Sequence, residues 1–353
     1  MRWILFAVTV MFTQGLHVET ASYNAPQNRK EVVCFIYHRF GDSRYPTTNV
    51  SVADFETHLE QLLENDFQLL TFSEAVSYLN SSGPPKKTAV ITIDDGYKSF
   101  YRNALPLLKK FKVPATLFIN TETVGGDYMT WDELRDVVKS NVEIGNHTHS
   151  HKYFLDLPAE SRYTSFKEEI ELSQSIIKKK LSIEPKVFSF PYGELDIKMK
   201  DIVRQAGFVA AAAQNSGVLS KEADLFQCPR FPMSEAYSSK GQFAGKLSMH
   251  SLQILSESPE GFTLENENPP TLTLSFAVDN LDLKQLQCFV QGGECVVQTL
   301  ETNGSSVTLK VHALKPLTSR RRTLYTITIP DKKGRWHWYS HLWINPNVHQ
   351  KGY

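Results

Sequence analysis

Two short stretches carry the residue types that could do chemistry. Thr92-Ile93-Asp94-Asp95-Gly96-Tyr97 follows the apolar run Ala89-Val90-Ile91, which reads as a buried strand, so two carboxylates emerge where that strand ends. Adjacent aspartates on an extended strand point to opposite faces. At a curled strand end they can share one pocket and divide the work, one holding a metal and the other handling a proton. On its own Asp-Asp-Gly could equally be a strand-to-turn junction, since both residue types are ordinary turn formers. The second stretch, Asn146-His147-Thr148-His149-Ser150-His151, changes that balance. An open catalytic metal site commonly uses three protein ligands of the imidazole and carboxylate type. Asp95, His147 and His151 form such a set, with His149 directed elsewhere. An ion held this way keeps an open position for water, which it can activate. Two histidines and a carboxylate also suit non-haem Fe(II) oxygenases, but the strand–helix alternation described below argues against that class.

These motifs, followed by Phe188-Ser189-Phe190-Pro191-Tyr192-Gly193, resemble in residues and order the polysaccharide deacetylase (NodB-homology, carbohydrate esterase family 4) family, over about residues 31 to 235. The resemblance implies an α/β fold, a distorted (β/α) barrel, and metal-dependent removal of acetyl from N-acetylated sugars. It implies Asp95, His147 and His151 as metal ligands and Asp94 as the base. The oxyanion is then held by the ion and by the backbone N–H of Tyr192. The ion expected is Zn²⁺, with Co²⁺ or Ni²⁺ acceptable to the same donors. Val32-Val33-Cys34-Phe35-Ile36-Tyr37-His38 is similar to the first strand of the secreted poly-N-acetylglucosamine deacetylases, which implies His38 as general acid; His250 is the other candidate. Pro191, Tyr192 and Arg230 fall on the substrate-binding side. One departure stands out: many members carry an arginine in the third motif that orients the base, where this chain has Phe188-Ser189-Phe190. That role is vacant unless Arg230 fills it from another strand. If vacant, the chain could be a catalytically impaired polysaccharide-binding protein on the same fold.

The elements that must position these residues alternate. Ser51-Val52-Ala53-Asp54 is a helix-capping signature, followed by Phe55, Leu59, Leu62 and Leu63 at helical spacing. Phe67 to Leu70 reads as a strand and Ser73 to Leu79 as a helix. Ala104, Leu107, Leu108 and Phe111 mark another helix face, and Ala115 to Ile119 the next strand. Helices over Trp131 to Val138 and from Pro158 to Leu181 bracket the strand Val142-Glu143-Ile144-Gly145. A helix from Asp196 to Gln205, a strand from Phe208 to Ala213 and Arg230-Phe231-Pro232-Met233 close the barrel portion. Alternation of this kind indicates a parallel sheet. Beyond about residue 240 the period becomes two, with Leu272, Leu274, Phe276 and Val278, then Val307, Leu309 and Val311, then Leu324, Thr326 and Thr328. A small C-terminal antiparallel β domain follows, its Trp336-His337-Trp338-Tyr339 serving a core or hairpin, or stacking on sugar rings. The expected divisions are a signal peptide at 1–21, a barrel at 22–240 and an accessory β domain at 241–353.

Met1-Arg2 and the apolar run Trp3 to Phe12 resemble a secretory signal, too short to span a bilayer. Cleavage after Gly15 or Ala21, or retention as an anchor, are both open; the expectation is a secreted or periplasmic chain. Lys and Arg total 38 and Asp and Glu 38, so no net field selects nucleic acid or an anionic surface. The expected partner is an N-acetylated polysaccharide: poly-N-acetylglucosamine, chitin-like or peptidoglycan. Of four cysteines, Cys288 and Cys295 flank a hairpin-like bend and are the expected disulfide. Cys34 and Cys228 read as buried thiols.

Overall fold

The computed structural model describes residues 29–265 and 267–349; the expected signal segment lies outside them. Six parallel strands form the body of a nine-stranded sheet: β1 (Glu31–Tyr37), β2 (Thr88–Ile93), β3 (Ala115–Ile119), β4 (Val142–Asn146), β5 (Val187–Ser189) and β6 (Ala210–Ala212). All six residues of β2 are buried, as expected of a continuous apolar run covered on both faces. β1 pairs with β2 from Val33↔Ala89 to Tyr37↔Ile93, and β3 with β4 from Ala115↔Val142 to Ile119↔Asn146. The sheet curls back on itself. Ala212 bridges to Cys228, and β7 (Phe231–Pro232) pairs in parallel with β1 at Phe35↔Phe231. Because these strands run in one direction, their C-terminal ends share a single rim. His38, Asp94, His147, Phe190, Ala213 and Met233 each follow the last residue of a strand there, the position at which barrel enzymes collect their functional groups.

Helices pack on the outside of the curl. The helix Val52–Glu64 starts at Ser51, whose side chain accepts from the Asp54 N–H; Thr71 and Thr130 form capping boxes with Glu74 and Glu133. Its buried face departs from the expected one. Phe55, Leu59 and Leu62 are buried, whereas Leu63 is 42% exposed and His58 takes the inner position. One residue step turns a helix by about 100°, so Leu63, next to the buried Leu62, is carried out of the core. His58 is satisfied at both nitrogens. Nε2 lies 2.7 Å from the Ser238 carbonyl and must donate to it, so Nδ1 accepts from the Tyr37 hydroxyl at 2.9 Å. The ring stacks on Phe243 at 4.0 Å.

The C-terminal portion is two four-stranded sheets, one containing Arg322–Pro330 and Trp336–Ile344, the other containing Thr271–Ala277 and Ser306–Ala313. Leu272, Leu274, Phe276, Val307, Leu309 and Val311 fill the space between the sheets, opposite Tyr325, Ile327 and Ile329. The alternation Leu324, Thr326, Thr328 suggested one buried face, but both faces of that strand are covered. Leu324, Leu342 and Ile344 pack against the barrel cluster of Phe188 and Phe190. Trp338 meets Phe231 edge-on at 5.4 Å, a packing role. Cys288 and Cys295 are joined by a disulfide; Cys34 and Cys228 are buried and free.

Burial holds the His58 imidazole neutral, with a pKa pushed down to about 4, although the Ser238 carbonyl and Asp54 draw it upward. The folded value lies below the unfolded one of about 6.5, so the stability His58 contributes is full above that pH and falls as pH drops towards 4, by about 3 kcal/mol in all. Urea unfolding of wild type and His58→Gln should therefore show a stability gap that shrinks by that order between pH 7 and pH 4. A constant gap would contradict a neutral, doubly bonded His58.

Candidate active site

The barrel places two carboxylates of opposite character side by side at the end of β2. Asp94 continues the strand, its N–H donating to the Tyr37 carbonyl at 2.9 Å, and has no exposed surface, with Oδ2 3.9 Å from His147 Nε2. Asp95 adopts φ +74, a left-handed conformation that costs a non-glycine residue about 1 kcal/mol or more. That turn swings its carboxylate into the rim cleft, where it is 8% exposed. Gly96, also left-handed at φ +79, completes the turn.

Asp94 is held by an arginine from the far side of the curl. Arg230 Nη1 and Nη2 donate to Asp94 Oδ1 and Oδ2, each at 2.8 Å. Its remaining donors reach Thr92 Oγ1 at 3.0 Å, Ser189 Oγ at 3.0 Å and the Ala213 carbonyl at 2.9 Å. All five N–H groups of the guanidinium are thus used, and none of its surface is exposed. Arg230 was expected on the substrate-binding side. With its whole donor set engaged inside the barrel it touches Asp94, and no substrate can reach it. Ser189 Oγ donates to Asp94 Oδ2 at 3.0 Å. Burial raises the Asp94 pKa, but the charge and hydrogen bonds of Arg230, with His147 and His38 nearby, together outweigh it and hold the carboxyl below its usual range, so it stays ionised.

The histidines come from β4 and the loop after it. Gly145 allows β4 to pass close to β3, since a Cβ there would lie 2.2 Å from the Phe118 ring. His147 Nδ1 faces the Ser189 carbonyl at 2.6 Å and so carries the proton, leaving the Nε2 lone pair directed into the cleft. The loop is tied down by Glu169, which accepts from the His149 N–H at 3.0 Å and the Ser150 N–H at 2.7 Å. His149 turns away to Thr121 Oγ1 at 2.9 Å. His151, in a left-handed turn at φ +51, aims its Nε2 back to 3.1 Å from His147 Nε2.

Asp95, His147 and His151 meet around one point. Asp95 Oδ1 is 3.5 Å from His147 Nε2 and 3.3 Å from His151 Nε2, and this buried oxygen has no hydrogen-bond partner among the described residues. A tetrahedral ion with bonds of about 2.0–2.1 Å separates its ligand atoms by about 3.3 Å. The three edges observed here, 3.1, 3.3 and 3.5 Å, fit that figure. Burial holds His151 neutral, with its pKa pushed down to about 4, as a ligand requires. His147 is shifted the other way, Asp95 and Asp94 overcoming burial. Carboxylates that attract a proton there would attract a divalent cation.

The cleft has a volume of about 130 Å³ and is lined by His38, Tyr192, Gln214 and Arg322 besides the triad. Burial lowers the His38 pKa against the pull of Asp95 and Asp94. His250 is elsewhere: its Nδ1 is 2.7 Å from Glu31 Oε2, at the opposite end of β1. Seven residues at about 3.3 Å each separate that end from His38 by roughly 20 Å. Tyr192 sits in a left-handed turn at φ +59, and its ring stacks on Tyr153 at 3.7 Å. Pro191 is buried within that turn and does not line the cleft. Sequence reasoning missed the double service of Ser189, whose hydroxyl serves Asp94 and whose carbonyl serves His147. Its place in the third motif, where an arginine was expected, was the signal. It also missed Gln214 and Arg322, which no local pattern marks.

Removing one partner of a buried ion pair leaves the other charge unpaired, at a cost of about 3–5 kcal/mol. Arg230→Ala should destabilise the chain by that order in urea unfolding, and adding Asp94→Asn should recover part of the loss. Additivity of the two substitutions within about 0.5 kcal/mol would contradict the pairing.

Residues 81–211 match the family model described as polysaccharide deacetylase. A poly-beta-1,6-N-acetyl-D-glucosamine N-deacetylase of Staphylococcus aureus is 25% identical over 262 residues, covering 66% of this chain and 90% of the relative. The solved structure of IcaB from Ammonifex degensii superposes with a TM-score of 0.56 at 27% identity, over 62% of this chain and 97% of that one. The Streptococcus pyogenes deacetylase PplD in complex with acetate shares the fold, with a TM-score of 0.57 at 18% identity over 62% of this chain and 99% of its own. By the family-model match, residues 81–211 carry a polysaccharide deacetylase segment, set on a barrel that these solved structures share.

Proposed function

We propose that this chain is a metal-dependent N-deacetylase of an N-acetylglucosamine polymer, with poly-N-acetylglucosamine the favoured substrate. The observation that carries the reading is the convergence of Asp95, His147 and His151 at mutual distances of 3.1 to 3.5 Å beside an Asp94 fixed by Arg230. Those three side chains would hold the ion, most suitably Zn²⁺, with Co²⁺ or Ni²⁺ accepted by the same donors. When bound, the ion polarises the acyl carbonyl and makes water acidic enough to attack near neutral pH.

Asp94 is the base. A carboxylate offers about four lone-pair sites, and Arg230 and Ser189 fill three. One site on Oδ1 is left to take a proton from the attacking water, and Arg230 keeps the group ionised and aligned for it. The water oxygen bonds to the acyl carbon, and the Tyr192 backbone N–H, presented by its left-handed turn, donates to the oxygen that gains charge. His38 gives a proton to the nitrogen as the C–N bond breaks, releasing acetate and a free amine. Its lowered pKa makes its imidazolium a readier donor, at the expense of the fraction protonated at neutral pH. The division of the chain into a barrel at 22–240 and an accessory β domain at 241–353, and its export by a cleaved leader, belong to the same proposal. The staphylococcal relative's named substrate supports the choice of polymer. The alternative of an impaired binding protein rested on a vacant orienting position, and the 2.8 Å contacts from Arg230 to Asp94 speak for the enzyme.

Acetate release from N-acetylglucosamine oligomers should vanish with chelator and return with Zn²⁺ or Co²⁺. Asp94→Asn should lower release by about 10²–10⁴-fold, the range of general-base contributions, while metal content is retained. Release that survives both treatments would sink the proposal.

A further inference from the structure

Arg322 lies more than a hundred residues beyond the matched deacetylase segment, which ends at residue 211. It opens the strand Arg322–Pro330 of the C-terminal sheets, yet its side chain lines the catalytic cleft with His151, Tyr192 and Gln214. Arg321, just before the strand, and Arg322, its first residue, both reach Glu194 but differ in burial. Arg321 is wholly buried. It binds both oxygens of Glu194, at 2.7 and 2.8 Å, and reaches Asp156 at 2.8 Å, which fastens the sheet to the barrel. Arg322 reaches the same carboxylate and keeps 19% of its side chain exposed.

Arg322 is held in place at the cleft. Its Nη1 donates to Glu194 Oε1 at 3.3 Å, and its guanidinium carbon lies 5.5 Å from the centre of the Tyr192 ring, which is itself 4.3 Å from that of the metal-site His151. The cleft, at about 130 Å³, is well below the roughly 300–1,000 Å³ of pockets that enclose a whole drug-sized ligand. It accepts a substituent of a polymer, and the sugar bearing that substituent must rest on the rim. Such a sugar presents hydroxyl and acyl oxygens, acceptors suited to a planar, permanently charged guanidinium. A side chain already fixed by Glu194 and Tyr192 loses little freedom in binding them.

We propose that Arg322 is a substrate-contacting residue: supplied by the C-terminal β-sheet, it binds oxygen acceptors of the sugar whose N-acetyl group enters the cleft, so that the second domain completes the active site. The inference rests on the deacetylase reading, and two measurements on the full chain separate the two. In turnover of N-acetylglucosamine oligomers, Arg322→Ala should lower kcat/KM by about tenfold or more, chiefly through KM, and Arg322→Lys should recover part of the loss. Metal content should be unchanged. In calorimetry on the Asp94→Asn chain, adding Arg322→Ala should weaken binding of the same oligomer by a similar factor. Turnover and binding both within twofold of their references, or no oligomer binding by either chain, would overturn the assignment. So would a loss that Arg322→Lys does not relieve and that accompanies a fall in unfolding temperature, since Arg322 would then be only a fastening. A wild-type chain that releases no acetate while oligomer binding still falls with Arg322→Ala would sink the deacetylase reading and leave this contact standing.

Discussion

A buried guanidinium bound to a buried carboxylate sets the terms for the rest of this structure. Arg230 spends its five donors on groups from β2, on Ser189 at the end of β5 and on Ala213 just past β6, so one side chain knits together strands distant in sequence. An ion pair without water around it is tolerated only when its hydrogen bonds are complete, and here the arginine's are. The pairing also decides what each aspartate can do. Asp94, claimed by Arg230 and Ser189, is not available as a ligand. Asp95, one residue on and turned into the left-handed region, has an unpartnered oxygen facing two imidazoles. Two adjacent residues of the same type acquire different chemistry from strand direction and one backbone turn.

The second constraint is the common direction of the strands. Because they end on one rim, side chains from residue 38 to residue 192 are brought to a single small cleft. Ser189 couples its two functions: a shift of β5 would disturb the tautomer of His147 through its carbonyl and the alignment of Asp94 through its hydroxyl. Glu169, from the helix Ala159–Leu181, fixes the loop between the two histidines by its backbone. A loop so held presents His151 without having to be ordered by the ion.

Much of this was legible in the sequence because the informative patterns are local. Asp94-Asp95 at a strand end and His147 with His151 four residues on each lie within a few residues, and the strands behind them are uninterrupted apolar runs. What could not be read depends on distance. Nothing in Arg230-Phe231-Pro232 says that the arginine turns inward to an aspartate 136 positions earlier. Nor does the run Arg320-Arg321-Arg322 say that Arg321 is wholly buried against Glu194 while Arg322 lines the cleft. His58 was hidden by the assumption that a helix core face is apolar, and Leu63 was placed inside by spacing alone. The strand Arg322–Pro330 confounded a two-sided reading because its outer face rests on the barrel instead of water.

The central claim is that Asp95, His147 and His151 hold one divalent cation. Anomalous diffraction from crystals soaked in Zn²⁺ tests it most directly. The account predicts one strong peak within about 2.0–2.2 Å of Asp95 Oδ1, His147 Nε2 and His151 Nε2 together, lost in Asp95→Ala. A saturated crystal with no peak there, or with the peak on other residues, would contradict it.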